Sequence, residues 1–425
     1  MRVVCVGGGP AGLYFAILMK RQDPAHEVTV YERNAAGSTY GWGVTYWGGL
    51  LDRLRVCDPE SAEAILAGSV RWSGGVAHVG GDTTVCDGDD GFAISRHRLL
   101  DILTERARAL GARIEFEREW TPDDPLPDAD LVVAGDGVRS ALRDRFADHF
   151  RPRQAGGRNT YIWLGTTKRF DAFTFSFVET PHGWIWCYAY GFGADRSTFI
   201  VECSPETHRG LGLDTAPEAD ALALLERLFA QPLGGHPLMG RAEADGRIRW
   251  QTFRTLTNDR WHHGNLVLVG DAAHTTHYSI GAGTTLAIED AIALAAAVHS
   301  EPERSEALRR YEQERKSALL ATQSAARLSA QWYENLPRYI QLPPSRMFAL
   351  LGQRHSPLLP HVPPQLYYHL DRAVGRLPAL RDLKRRLGPR IGQLVQARTA
   401  AARAEARAVP YGAPGRDGAQ EERQR

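Results

Sequence analysis

A short apolar run, Val3-Val4-Cys5-Val6, leads into Gly7-Gly8-Gly9-Pro10-Ala11-Gly12 and then into Leu13-Tyr14-Phe15-Ala16-Ile17-Leu18-Met19. The order strand, glycine turn, helix constrains this chain more than any other feature in it. Gly7 permits the tight turn, Gly9 leaves room for a pyrophosphate against the backbone, and Gly12 lets helix and strand pack closely. The helix beginning at Pro10 and Ala11 would then point free N–H groups and a partial positive charge at that pyrophosphate. A second strand, Glu27-Val28-Thr29-Val30-Tyr31, ends at Glu32 and Arg33, about twenty residues on, where a carboxylate accepts from ribose hydroxyls. Dinucleotide binding follows, but the fingerprint does not choose between NAD and FAD.

The rest of the first third continues in βαβ units: a helical pattern from His97 to Leu110, a strand at Arg113 to Phe116, and a strand from Asp130 to Ala134. From Tyr161 to Glu202 aromatic and β-branched residues alternate with polar ones, as in Thr174-Phe175-Ser176-Phe177 and Trp184-Ile185-Trp186-Cys187-Tyr188, which predicts an antiparallel sheet. The parallel texture returns at Asn265-Leu266-Val267-Leu268-Val269, followed by a long helix from near Gly283. A chain of 425 residues is long enough for several such units. The expected class is α/β: a Rossmann-like domain in two parts (1–160 and 263–330), an inserted antiparallel-sheet substrate domain (161–262), a helical extension interrupted by prolines (331–403), and a disordered Ala/Arg/Glu/Gly-rich tail (404–425).

The second motif chooses the cofactor. Gly270-Asp271-Ala272-Ala273-His274 ends the late strand, and Gly281-Ala282-Gly283-Thr284 opens the helix after it. An Asp at that strand end can hold the ribityl or pyrophosphate region of a flavin, while the helix N-terminus faces the anionic edge of a reduced isoalloxazine. Gly135-Asp136-Gly137-Val138-Arg139-Ser140 lies between the two.

Three such elements in this order resemble the class A flavoprotein aromatic hydroxylases, the para-hydroxybenzoate-hydroxylase fold, over about residues 1 to 330. The resemblance implies FAD contacts at Gly7, Gly9, Gly12 and Glu32, a flavin-contacting arginine at Arg96, a motif at Asp136 and Gly137 linked to both FAD and NAD(P)H, and an FAD contact at Asp271. Longer stretches narrow it. Gly41-Trp42-Gly43-Val44, Trp163-Leu164-Gly165-Thr166-Thr167, Ser197-Thr198-Phe199-Ile200-Val201-Glu202-Cys203 and His277-Tyr278-Ser279-Ile280-Gly281-Ala282-Gly283-Thr284 resemble the subgroup that holds salicylyl-CoA 5-hydroxylase, the monooxygenase part of 2-aminobenzoyl-CoA monooxygenase/reductase and the indole-ring hydroxylases of violacein biosynthesis. The implied reaction uses NADH or NADPH as a transient reductant and O2, and hydroxylates an electron-rich ring, first an ortho-hydroxy- or ortho-amino-aryl-CoA thioester. The alternatives are an indole or other fused-ring hydroxylase, and a flavoprotein that binds or rearranges its ligand without net hydroxylation. A halogenase is disfavoured: Trp184-Ile185-Trp186 is followed by Cys187-Tyr188 rather than Ile-Pro.

Reacting groups are sought on the loop that passes the flavin. His277 can accept a phenol or aniline proton, with Tyr278 the next candidate. Trp163, Phe175, Trp186 and Tyr188 are candidates for an aromatic substrate pocket. Five cysteines without a CxxC pair, and no His at ligand spacing, predict neither a disulfide framework nor a metal site. The net charge of +1 argues against nucleic acid or an anionic membrane as partner, and no run is long and apolar enough for a span. With no signal peptide at the start, a cytoplasmic monomer or homodimer is expected.

Overall fold

A computed structural model of the protein describes residues 1–38, 41–240 and 249–376. The tail expected at 404–425, the arginine cluster around Arg381 to Arg390 and the end of the 331–403 extension lie outside the described residues.

Two sheets organise the described chain. The first has six strands in the order His262–His263, Leu266–Leu268, Leu131–Ala134, Arg2–Val6, Glu27–Tyr31, Arg113–Glu115. All pairings are parallel except the first, with Val4 opposite Thr29 on one side and Val132 on the other. Strands buried on both faces need apolar residues throughout, which is why Val3–Val6 and Leu131–Ala134 are unbroken apolar runs. Helix Pro10–Gln22 has Pro at its first position and is buried almost all round, because it lies against helices Arg96–Ala109 and Gly283–Ser300 as well as the sheet. Pro302 follows the end of Gly283–Ser300, and a new helix of 31 residues, Arg304–Glu334, begins after it.

The second sheet has nine strands. Its main path is Leu238–Met239, Pro152–Thr166, Ser197–Cys203, Gly183–Gly191, Phe173–Thr180, Ser69–Val79, Asp82–Ser95, Gly43–Trp47, and Gln251–Asn258 also pairs with Pro152–Thr166. It departs from the sequence reading in two ways. Three of its strands come from residues 43–95, inside the segment read as nucleotide-binding, and one junction, Ser69–Val79 with Phe173–Thr180, is parallel. The alternation in 43–95 is diluted by Gly74, Gly75, Gly88 and Gly91, which hid the strands from a period-two reading. One face packs against helices of residues 205–233 through Ile185, Phe199, Val201, Leu225 and Phe229. The other packs against the C-terminal helices through Phe177, Trp186, Tyr188, Trp332, Tyr333 and Met347.

Gly41-Trp42-Gly43 ties one edge strand of the second sheet to strands in its middle. The Gly43 N–H donates to Thr198 Oγ1 at 2.9 Å and its carbonyl accepts from Tyr190 Oη at 2.9 Å. A Cβ on Gly41 would lie 2.6 Å from the Trp163 ring, and one on Gly43 would lie 2.5 Å from Phe192, so the motif needs glycine on steric grounds.

Candidate active site

One cavity of about 1800 Å3 runs from the glycine turn to the aromatic face of the second sheet. Sites for a single drug-sized ligand occupy roughly 300–1,000 Å3, so this one has room for a dinucleotide and a second molecule.

At the nucleotide end the wall is mostly backbone. Gly7 sits at φ +110° and donates to the Tyr31 carbonyl at 2.8 Å; a Cβ on it would meet the Gly135 carbonyl oxygen at 2.3 Å. A Cβ on Gly12 would meet the Gly7 carbonyl oxygen at 2.2 Å. A Cβ on Gly9 would meet nothing within 4 Å, because Gly9 faces the cavity. Gly7 and Gly12 are therefore required by packing, and Gly9 by what the cavity must hold. Glu32 does not line the cavity. Its carboxylate accepts from the Gly8 N–H at 2.8 Å and from the Asn34 N–H at 2.9 Å, fixing the turn to the end of the second strand. Arg33 beside it does face the cavity, as do Pro10, Ala11, Arg96, Asp136, Gly137, Asp271, Gly281, Ala282, Gly283 and Thr284.

These residues fit an FAD. Asp136 Oδ1 is buried without a hydrogen-bond partner, and desolvation pushes that carboxyl above its ordinary range. Asp271 lines the cavity; desolvation pushes its carboxyl up too, against the pull of His274 and Arg96. Donors from a ribityl chain, a ribose or a nucleotide base would satisfy both carboxylates. Asp271 is held by a buried ionic cluster: Asp290 accepts from the Gly270 N–H at 2.9 Å, pairs with His274 at 2.8 Å and accepts from Arg315 at 2.7 Å. Burial alone would raise Asp290, but His274 and Arg315 hold it below the usual carboxylate value.

The other end is built from side chains. Trp163, Phe175, Tyr188 and Tyr161 line it, with Phe253 and Phe348, which the sequence reading did not single out. Trp186 does not: it stacks on Tyr333 at 5.9 Å and 11° and belongs to the core under the C-terminal helices.

The loop from 274 to 283 divides the two candidates for reacting groups. Tyr278 faces the cavity. His277, expected to meet the substrate, is not part of the cavity wall: it is 7% exposed, packs on Phe253, and its Nδ1 engages the Ser279 hydroxyl at 2.9 Å and the Ser279 N–H at 3.4 Å. Burial keeps its imidazole neutral, with the pKa drawn down to about 3. The two rings stack, with centroids 4.4 Å apart and 28° between their planes, at the head of a short 3-10 turn, Tyr278–Ile280, so His277 backs Tyr278 instead of lining the cavity, which residue spacing could not foretell. The Ser279 hydroxyl continues to Ser329 at 2.7 Å, and Arg354 joins Ser329, the Leu351 carbonyl and the Ser279 carbonyl, which ties the loop to the C-terminal helices.

Glu202 has no side chain in the cavity wall and was given no role by the sequence reading. It is 1% exposed, in the middle of strand Ser197–Cys203, and accepts from Tyr278 Oη at 2.6 Å, Tyr188 Oη at 2.5 Å and Asn159 Nδ2 at 2.8 Å. Burial pushes its carboxyl up, against the lowering by those hydrogen bonds. The available signal was one acidic residue inside the run Phe199-Ile200-Val201-Glu202-Cys203. Among the described residues no group of three or more His, Cys, Asp or Glu is placed to hold a metal, no helix is long and apolar enough to cross a membrane, and no disulfide joins any of the five cysteines.

The chain resembles known proteins in sequence and fold. Residues 127–325 match the FAD binding domain family model. The chain is 40% identical to salicyloyl-CoA 5-hydroxylase from Streptomyces sp over 351 residues, 80% of this chain and 67% of that protein. It is 38% identical to 3-hydroxy-4-methyl-anthranilyl-[aryl-carrier protein] 5-monooxygenase from Streptosporangium sibiricum over 337 residues, 79% of this chain and 90% of that protein. Among solved structures, tetrameric 2-methyl-3-hydroxypyridine-5-carboxylic acid oxygenase superimposes with a TM-score of 0.63 at 22% identity, covering 81% of this chain and 94% of that one, a likeness of fold. With the glycine turn, the Asp136 and Asp271 carboxylates and the aromatic chamber in one continuous cavity, the chain belongs to the FAD-dependent aromatic monooxygenases built on this FAD binding domain.

Proposed function

We propose that the protein hydroxylates the ring of an ortho-hydroxy- or ortho-amino-aryl thioester, linked to CoA or to a carrier protein, with NADH or NADPH as the electron donor. The observation that carries this reading is the single cavity that joins the Gly9 and Asp271 end to the Phe175, Tyr188 and Tyr278 end. The two relatives named above, one acting on a CoA ester and one on a carrier-bound aryl group, support the thioester class.

Bound FAD supplies the redox chemistry, accepting hydride from the nicotinamide and activating O2 for transfer of one oxygen atom to the ring. Gly9, Arg33, Arg96, Asp136, Asp271 and the N-terminus of helix Gly283–Ser300 would hold it. The chain's own part is to bind and orient the ring and to keep water away. Phe175, Phe253 and Phe348 offer apolar ring faces for this, and Tyr278 and Tyr188 bring hydroxyls to the same chamber. The test is product analysis by mass spectrometry after incubation of FAD-loaded protein with NADH or NADPH and a panel of salicyl-CoA, 2-aminobenzoyl-CoA, the free acids and indole. One added oxygen atom on a CoA ester, dependent on O2 and reductant, is the expected result. Turnover of only free acids or indole would overturn the thioester reading.

A further inference from the structure

The aromatic end of the cavity meets solvent on two flanks of opposite charge. One is rimmed by Trp47 and Gly88, both exposed and both part of the wall. The run around it, Asp87-Gly88-Asp89-Asp90, is acidic, and Arg71 close by is already paired with Asp90. The other lies across the second sheet, beside strand Gln251–Asn258. Its wall holds the exposed Arg249, then Gln251, and Arg354 from the C-terminal helices. Those helices are basic. Residues 335–376 carry five arginines (Arg338, Arg346, Arg354, Arg372, Arg376) and a single acid, Asp371, in a chain whose charges balance to +1.

Arg354 is fixed in place by the protein itself. Its Nε donates to Ser329 Oγ at 3.0 Å, one Nη to the Leu351 carbonyl at 2.9 Å and the other to the Ser279 carbonyl at 3.2 Å. A guanidinium has five N–H groups, so two are left for a ligand. Because Ser279 follows Tyr278, this cation stands at the edge of the aromatic chamber. Arg249 stands farther out. The Tyr161 ring lies 4.2 Å from that of Tyr278, and its hydroxyl donates to Gln251 Oε1 at 3.3 Å, which sets Gln251 at the chamber wall. Arg249 is two residues earlier, at most about 7 Å along the chain, and its long side chain adds to that reach.

We propose that the mouth at Arg249 and Arg354 takes the phosphopantetheine arm of the substrate, with Arg249 on the phosphate and the two remaining Arg354 N–H groups on a carbonyl of the arm. The proposal rests on the aryl-thioester reading and gives the part of the substrate that is not the ring its own subsite. With the ring in the chamber, the arm has to leave by one flank. Its sulfur and its phosphate are separated by about the length of four extended residues, roughly 14 Å, a span that two residues of chain and an arginine side chain match. The phosphate is anionic, so the acidic flank repels it and the arginines attract it and donate to it. CoA and a loaded carrier protein share this arm, so the site reads what the two have in common.

The test uses the full-length, FAD-loaded protein, oxidised and without reductant, titrated with salicyl thioesters and read by the change in flavin absorbance. Salicyl-pantetheine and salicyl-4′-phosphopantetheine differ by one phosphate. Wild-type protein should bind the phosphorylated ester roughly tenfold more tightly, an advantage that shrinks as salt is raised. Arg249→Gln should reduce the advantage below about twofold. Arg372→Gln should keep it, since Arg372 lies outside the cavity wall and donates to Tyr368. The site is overturned if wild-type protein binds the two esters alike, if Arg249→Gln keeps the full advantage, or if Arg372→Gln loses as much of it. Salicyl-CoA and a salicyl-loaded carrier protein then separate the sources: whichever binds more tightly than the phosphopantetheine ester supplies the arm, and either result keeps the site. A protein that hydroxylates salicyl thioesters without regard to the phosphate keeps the function and loses the site. One that hydroxylates only free acids or indole loses the thioester reading itself.

Discussion

The two ends of the cavity recognise their ligands by different means. At the nucleotide end the wall is main chain and small residues: Gly9, Pro10, Ala11, Gly137, Gly281, Ala282 and Gly283, with a few charged side chains set at strand ends. At the aromatic end it is almost all large side chains, drawn from strands at 152–166, 173–180, 183–191 and 251–258, the 278–280 turn and helix Pro344–Gly352. A pyrophosphate is the same in every substrate this fold serves, so backbone N–H groups and a helix terminus suffice, and they are local in sequence. A particular aromatic ring has to be distinguished from others, which takes shaped side chains from many elements. The nucleotide end should therefore tolerate little at its glycines, whereas the aromatic end should lose chemistry without losing the fold.

The sharpest way to break that contrast lies in the turn itself. Gly12→Val should leave no soluble folded protein, because its Cβ would stand 2.2 Å from the Gly7 carbonyl oxygen. Gly9→Val should fold, since a Cβ there meets nothing, yet retain almost no FAD. Circular dichroism and the flavin absorbance of purified protein separate the two; stoichiometric flavin in Gly9→Val would show that the turn is not the phosphate site.

At the opposite end, Tyr278→Phe should keep full flavin content and lose roughly a hundredfold in hydroxylation rate, with more hydrogen peroxide released per nicotinamide oxidised. Retention of both rate and coupling would mean that the aromatic end works through shape alone.

His277→Ala should do less. Its side chain lies outside the cavity wall and holds Ser279, so the variant should lose roughly 2 kcal/mol of stability in a denaturant titration and less than about tenfold in rate. A loss equal to that of Tyr278→Phe would restore His277 as a substrate contact.

The smallest effect separates the halves by pH. Burial would raise the Glu312 carboxyl, but His262, Lys316 and the Trp261 N–H hold it at about 2, against 4.5 ordinarily. A depressed carboxylate contributes stability that is present above the ordinary value and is lost as pH falls from about 4.5 toward about 2. Glu202 is shifted the other way, so it favours the folded state most at low pH and loses that contribution as pH rises above the ordinary carboxylate range. Glu312→Gln should therefore flatten the acid limb of the stability curve, and Glu202→Gln the limb above it; thermal melts between pH 3 and 8 would show either slope unchanged if the assignment is wrong.

The chain's own order of residues determined the nucleotide half. Strand, glycine turn and helix at 2–22, the strand ending at Glu32, and the Asp136 and Asp271 motifs each occupy one short stretch, because main-chain geometry and helix termini are set by neighbours in sequence. The alternation at 173–201 likewise announced its strands. Only the tertiary structure decided the rest. It carried strands from 43–95 into the second sheet, turned Trp186 into the core, stacked His277 behind the ring of Tyr278 and out of the cavity wall, and brought the C-terminal helices against the aromatic face. It also set Glu202 against Tyr278, a contact across 76 positions. Local pattern tells which face of a strand is apolar, but not which distant side chain will be laid against that face; that choice is made by packing, which couples residues without regard to their separation along the chain.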